Sequence, residues 1–138
     1  MKIFIICSKY FYDRIEPVRK KLEENGHTII LPNCYENPFE EDKVRQRGEQ
    51  EHAEWKARQY KKSENKIRES DALLVLNYEK NGQPNYVGGA TFLEMYDGFK
   101  LGKLLYMYNP APENLLKDEI IGMNPVVLKG DLEKILES

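Results

Sequence analysis

At 138 residues, with 21 Lys and Arg against 23 Asp and Glu and a net charge of -2, the chain is about one domain and gives no electrostatic case for binding a nucleic-acid polymer. A small-molecule partner is the better expectation. No apolar run approaches the roughly 20 residues a membrane helix needs, no leader precedes the first strand-forming residues, and Cys7 and Cys34 have neither metal-ligand spacing nor a disulfide framework, so we expect a cytoplasmic protein with reduced thiols and no metal or cofactor.

In chain order, Lys2 to Cys7 is a continuous apolar, β-branched run that reads as a central parallel strand, ending in the loop Ser8 to Tyr12. Asp13 to Asn25 carries Ile15, Val18 and Leu22 at helical spacing, with Asp13 as the expected N-cap and Gly26 just past the end. His27 to Pro32 is a second strand, stopped by proline. From about 39 to 69 the sequence is highly charged, with sparse apolar positions that include Trp55 and Tyr60. Pairs such as Glu54 with Arg58 and Glu64 with Arg68 support an exposed helix that Gly48 breaks or bends. So polar a segment suits a lid over a ligand or a subunit interface better than a place in the core.

The stretch on which the chain is organised follows. Ser70 to Asn77 is a strand buried on both faces, Tyr78 to Gly89 a long polar loop, Gly89 onward a helix, and Gly102 to Tyr106 the entry to a fourth strand. Asn109-Pro110-Ala111-Pro112 closes that strand, and Leu115 to Ile121 is a short amphipathic segment. Pro125 to Leu128 is a fifth strand, and Asp131 caps a last helix over 132–136. Strands alternating with helices predict one α/β domain over residues 1–138. Its core is a doubly wound, five-stranded parallel sheet in a flavodoxin-like, Rossmann-like three-layer sandwich of strand order 2-1-3-4-5. Ligands then bind where the loops leaving strands one and three converge. Those loops contribute Ser8, Lys9 and Tyr10 on one side and Asn85, Gly88 and Gly89 on the other as candidate ligand contacts. Glu94 follows in the first turns of the helix, and Asp71, just before the third strand, is a candidate second acid. Asp71 also serves simply to start a strand, Gly88-Gly89 to make a turn, and Trp55 to pack; His27 and His52 have no visible partner.

The Ser-containing loop after the first strand, Gly26-His27-Thr28-Ile29-Ile30-Leu31-Pro32, Ser70-Asp71-Ala72, and then Gly88 through Glu94-Met95 to Gly102-Lys103 resemble the nucleoside 2-deoxyribosyltransferase-like proteins, which include the deoxynucleoside 5′-monophosphate N-hydrolases. The resemblance spans Lys2 to about Asn109. It implies that Glu94 is the nucleophile on the anomeric carbon of 2-deoxyribose, and that the active form is a homodimer or larger, since the family commonly completes its sites across subunits. Three positions depart. Six residues before the nucleophile the transferases carry Asp and the hydrolases Ser, where this chain has Gly88. A first-strand Tyr that orients the glutamate corresponds to Phe4, and a further acid corresponds to Ser63, with Glu64 beside it. Tyr10, Tyr12, Asn85 and Tyr86 are the residues available to replace these groups.

Two functions from different classes follow. One is cleavage of the N-glycosidic bond of a deoxynucleoside or its monophosphate, by hydrolysis or transfer to another base; the other is a non-catalytic nucleotide-binding module of the same fold. An FMN protein is weaker, because Ser8 to Tyr12 is not a Ser/Thr/Gly-rich phosphate loop. Any ligand phosphate is expected at Ser8-Lys9, where a loop meets a helix N-terminus. The helix dipole is expected to keep Glu94 ionised against the opposing effect of burial.

Overall fold

The computed structural model describes residues 1–136. Five short strands, β1 (Lys2–Ile6), β2 (Thr28–Ile30), β3 (Ala72–Val75), β4 (Leu104–Met107) and β5 (Val126–Val127), form one all-parallel sheet in the order β2-β1-β3-β4-β5. Successive side chains on a strand point to opposite faces, so the uninterrupted apolar runs of β1 and β3 supply two cores at once. Ile3, Ile5, Leu74 and Leu76 pack on one face with Phe11, Ile15, Val18 and Leu22. Phe4, Ile6, Leu73 and Val75 pack on the other with Ile67, Met95 and Met107. The helix α1 (Ile15–Glu24) covers the first face. On the other lie α3 (Glu49–Glu69) and α4 (Gly89–Lys100), joined through Ile120 by the short α5 (Lys117–Gly122); α2 (Glu40–Arg45) sits against α3. This is the doubly wound, flavodoxin-like three-layer sandwich expected from the alternation of elements.

Several boundaries differ from the sequence expectation. The chain coils earlier than Asp13: a 3-10 turn over Lys9–Arg14 is capped by Ser8, whose hydroxyl accepts from the Tyr10 amide at 3.4 Å, and α1 follows directly. Coiling here turns Phe11 into the core, edge-on to Tyr78 with ring centroids 5.4 Å apart, whereas Asp13 is exposed and caps nothing. Cys7 lies one residue beyond β1. The charged segment is two helices rather than one bent helix, because Gly48 adopts φ +118, a conformation that disfavours any side chain. Of the two anticipated helical ion pairs, Glu64–Arg68 forms at 3.2 Å, while Glu54 accepts instead from Gln50. The last helix shortens to a 3-10 turn, Leu132–Lys134, which Asp131 caps by accepting from the Glu133 amide.

At the carboxyl ends of β3 and β4 a fully buried asparagine fixes where the functional loop begins. Asn77 donates to the carbonyls of Asn109 and Pro110 and accepts from the Asn109 amide, and Asn109 donates back to the Asn77 carbonyl. Buried polar groups are tolerated where each is paired, and here the pairing joins the last turns of two neighbouring strands.

Candidate active site

Crossovers leave β1 and β3 toward opposite faces of the sheet, so their carboxyl-terminal loops part and leave a crevice. The cleft there measures about 500 Å3, within the range of small-molecule sites. Ser8, Lys9 and Tyr10 enter it from β1, Asn33 and Cys34 from the loop after β2, Lys80, Tyr86, Gly88 and Gly89 from the loop after β3, and Glu94 and Asp97 from α4; Glu41, Asp42, Trp55, Lys56 and Ser63 come from α2 and α3.

Glu94 is the sixth residue of α4, beyond the first turn in which the helix dipole acts on a side chain. Burial decides its ionisation instead. The protein atoms around it push its pKa up to about 7, against the Ser63 hydrogen bond and the charges of Lys66 and Lys56, while Asp97 adds to the rise. The expectation that the dipole holds it fully ionised is therefore corrected: near neutral pH the carboxyl is poised between its two forms. Ser63 Oγ donates to Glu94 Oε2 at 2.8 Å, and Asn33 Nδ2 donates to Ser63 Oγ at 3.0 Å and to the Gln59 carbonyl at 3.1 Å. Because Asn33 supplies the hydroxyl with a donor, the serine proton is directed to the glutamate. Asn33 Oδ1 is buried with no partner among the described residues. Phe4, at the expected tyrosine position, is fully buried and has no hydroxyl to give; Tyr12 donates its own to the Asn33 carbonyl at 2.9 Å. The hydroxyl that orients Glu94 thus comes from Ser63.

The other expected residues divide. Ser8, Lys9, Tyr10, Gly88 and Gly89 line the cleft with Glu94. Asp71 does not. It stands before β3 at the amino edge of the sheet, accepting from the Lys2 amide at 2.8 Å, with all four residues of β3, about 13 Å of strand at 3.3 Å per residue, between it and the cleft end of the sheet. Glu64 is exposed and paired with Arg68 outside the cleft. Asn85 does not line the cleft either; its φ of +56 places it in the left-handed region, which asparagine tolerates, so its residue type is accounted for by the backbone. Gly88, at φ -82, needs no such freedom. A Cβ there would lie 3.4 Å from the Tyr86 hydroxyl, so Tyr86 takes up the space beside it.

Lys9 is already engaged, with its Nζ 3.0 Å from both carboxylate oxygens of Asp42. The three successive acids of α2 are all held: Glu40 accepts from Cys34 Sγ and Trp55 Nε1, both at 3.2 Å, Glu41 meets Lys56 at 3.1 Å and His52 at 2.8 Å, and Asp42 also meets Arg45 at 2.9 Å. Hydrogen bonds from Cys34 and Trp55 lower the Glu40 pKa, and one from Lys9 lowers that of Asp42; for Glu41 the bonds from His52 and Lys56, with the charge of Lys56, outweigh burial. Trp55 is consequently packed, 7% exposed, and His52 has a partner after all. Burial raises the thiols, Cys7 most strongly and Cys34 to about 11, so neither is a thiolate nucleophile at neutral pH. Among the described residues no cluster of three His, Cys, Asp or Glu side chains could hold a metal ion, and no helix is long and apolar enough to cross a membrane.

Sequence reading missed Lys80, Asn33 and Asp97 at this site. Asp97 stood three residues after Glu94, a helical spacing that puts both on one face. Lys80 and Asn33 gave no comparable signal, because only the folding of two loops brings them to the cleft. What the fold and site define is a three-layer α/β sandwich with a hydrogen-bonded carboxyl at its switch-point crevice. Compared with known proteins, the chain matches no family model, and a search of curated proteins finds no match.

Proposed function

We propose that the protein cleaves the N-glycosidic bond of 2-deoxynucleosides or their 5′-monophosphates, by hydrolysis or by transfer to a second base, with Glu94 as nucleophile. The observation that carries this reading is the Glu94 carboxyl in the crevice, held by the Ser63 hydroxyl at 2.8 Å. A nucleophile must be ionised and fixed below the carbon it attacks, and a carboxylate there also stabilises the oxocarbenium-like transition state. In the first half-reaction a Glu94 oxygen bonds to the anomeric carbon as the bond to the base breaks, the electron pair leaving with the base nitrogen. In the second, water or another base attacks that carbon, the ester bond breaks, the carboxylate is restored and the attacking group loses its proton. Proton donation to the base is the weak step, since Glu41 and Asp42 are held as carboxylates and Asp71 and Glu64 lie outside the cleft. Turnover is therefore slow or confined to bases that leave readily.

Incubation with a panel of deoxynucleosides and their 5′-monophosphates, with and without a second base, should yield free or exchanged base on chromatography. Binding of these compounds without release from any of them would favour the non-catalytic module, which the ion-paired carboxylates of Glu41 and Asp42 also suit.

A homodimer is part of the proposal; of the two aromatic residues on the charged segment, Tyr60 stays about half exposed, and α4 adds further anchors. Trp55 is spent inside the monomer, whereas Leu93, Tyr96 and Phe99 form an exposed apolar stripe along α4 from the cleft to the groove beside Met123, each about half exposed. Aromatic residues on such a stripe are typical interface anchors, and a second copy seated there would complete the cleft rim at Leu93. Light scattering at tens of micromolar should give twice the 16.2 kDa chain mass, and Tyr96→Glu should return it to the monomer. A parent protein of monomer mass would refute the assembly.

A further inference from the structure

Among the described residues the cleft is lined by four cations, Lys9, Arg45, Lys56 and Lys80, and the first three are ion-paired, sharing the carboxylates of Asp42 and Glu41. Lys9 is bound by Asp42, Arg45 by Asp42 and Glu41, and Lys56 by Glu41. Lys80 forms no ion pair among the described residues. Its ammonium lies over two aromatic faces instead, 4.0 Å from the ring centre of Tyr10 and 4.5 Å from that of Tyr86, with the Tyr86 hydroxyl 3.5 Å away. Ring faces hold a cation in place without cancelling its charge, and they leave its N–H donors free for a stronger acceptor.

The segment that presents Lys80 is also fixed. Lys80 and Gln83 exchange both backbone hydrogen bonds, at 3.0 and 2.9 Å, around Asn81 and Gly82, each at positive φ, which is the geometry of a tight two-residue hairpin turn. Below it the Tyr86 amide donates to the Tyr78 carbonyl at 2.8 Å, closing the loop at its base. The Tyr86 hydroxyl beside Lys80 is the group that occupies the space next to Gly88. A second polar donor therefore stands with the cation at the place where the chain carries no side chain of its own.

We infer that Lys80, with the Tyr86 hydroxyl, is the phosphate-recognising element of the cleft, so that the ligand carries a phosphate and monophosphates are selected over free nucleosides. This deepens the proposed reading and, for the choice of substrate, rests on it. Lys9, which the sequence favoured for this task, is a poorer candidate because a phosphate must first displace the two-oxygen contact with Asp42. An ammonium–phosphate contact is charge-assisted and strong, which is why its removal should be visible as a change in selectivity.

The test is calorimetric binding of deoxyadenosine, its 5′-monophosphate and inorganic phosphate to the full-length parent and to Lys80→Ala, Lys80→Arg and Lys9→Ala. The expected result is that Lys80→Ala lowers the monophosphate-over-nucleoside affinity ratio by about tenfold or more and weakens inorganic phosphate, that Lys80→Arg restores both, and that Lys9→Ala does neither. A ratio unchanged in Lys80→Ala, or one that falls in Lys9→Ala instead, overturns the inference, as does a parent that binds neither phosphate compound. Monophosphate binding without dependence on Lys80 leaves the nucleotide reading standing and removes only Lys80. Inorganic phosphate bound through Lys80, with no nucleoside or nucleotide bound, upholds the phosphate site and sinks the nucleoside reading.

Discussion

Glu94→Gln stops base release under the proposed reaction, by roughly three orders of magnitude or more, the scale on which removing a nucleophile acts, while ligand affinity stays within about tenfold, or 1.4 kcal/mol. The amide keeps the shape of the side chain and an oxygen for the Ser63 hydroxyl, whose 2.8 Å bond is one of the few features holding this group in place. What it lacks is the negative charge that would capture the anomeric carbon in that reaction. In the parent the same charge makes kcat/KM rise with pH and level off above about 7, the pKa of Glu94, because only the ionised form attacks. Ser63→Ala removes a hydrogen bond that lowers that pKa and so moves the rising limb to higher pH. Rapid-quench measurement of released base from pH 5 to 9 checks all three proteins; base release by Glu94→Gln at the parent rate would remove Glu94 from the chemistry.

The same substitution stabilises the protein above neutrality. A carboxyl raised from 4.5 to about 7 by burial costs roughly 3 kcal/mol to ionise within the fold. Between those two pH values the folded protein keeps a proton that the unfolded chain has lost, so this group's contribution makes stability fall as pH rises through the interval and level off above it. Glu94→Gln has no proton to lose. Parent and variant should therefore unfold together near pH 4, and by pH 8 the variant should melt up to about 10 °C higher, taking roughly 2 cal/mol/K of unfolding entropy per residue. Scanning calorimetry at a series of pH values reads the difference directly; parallel curves would show a carboxyl solvated well enough to ionise at no cost. A site that weakens its own fold in the form it needs for chemistry is the usual relation between activity and stability.

How much of this was legible in the sequence follows from the range of the interactions involved. The alternation of strands and helices rests on local signals, and the strand order on the fold class that this alternation implies. Two-sided apolar runs such as Ile3-Phe4-Ile5-Ile6 and Ala72-Leu73-Leu74-Val75 mark strands covered on both faces, and the helical spacing of Ile15, Val18 and Leu22 between the first two strands requires a parallel crossover. Gly48 was legible as a break or a bend, because glycine alone readily adopts backbone angles such as the φ of +118 it takes between α2 and α3. The convergence of the β1 and β3 loops came with the topology, and so did the placing of Ser8, Tyr10, Gly88 and Glu94 in one crevice.

Which partners those residues meet was decided by contacts between segments far apart in the chain. Ser63 and Glu94 are 31 positions apart, Asn33 and Ser63 30, and Lys9 and Asp42 33, and no periodicity encodes a hydrogen bond across such distances. So the sequence set the fold and the crevice from short-range hydrophobic pattern and chain connectivity. Only the packing of α3 and α4 on the sheet and of α2 against α3 and the cleft determined that Lys9 is ion-paired, that Lys80 among the described residues is not, and that desolvation rather than the helix dipole governs Glu94, because burial and charge pairing depend on what surrounds a group in space.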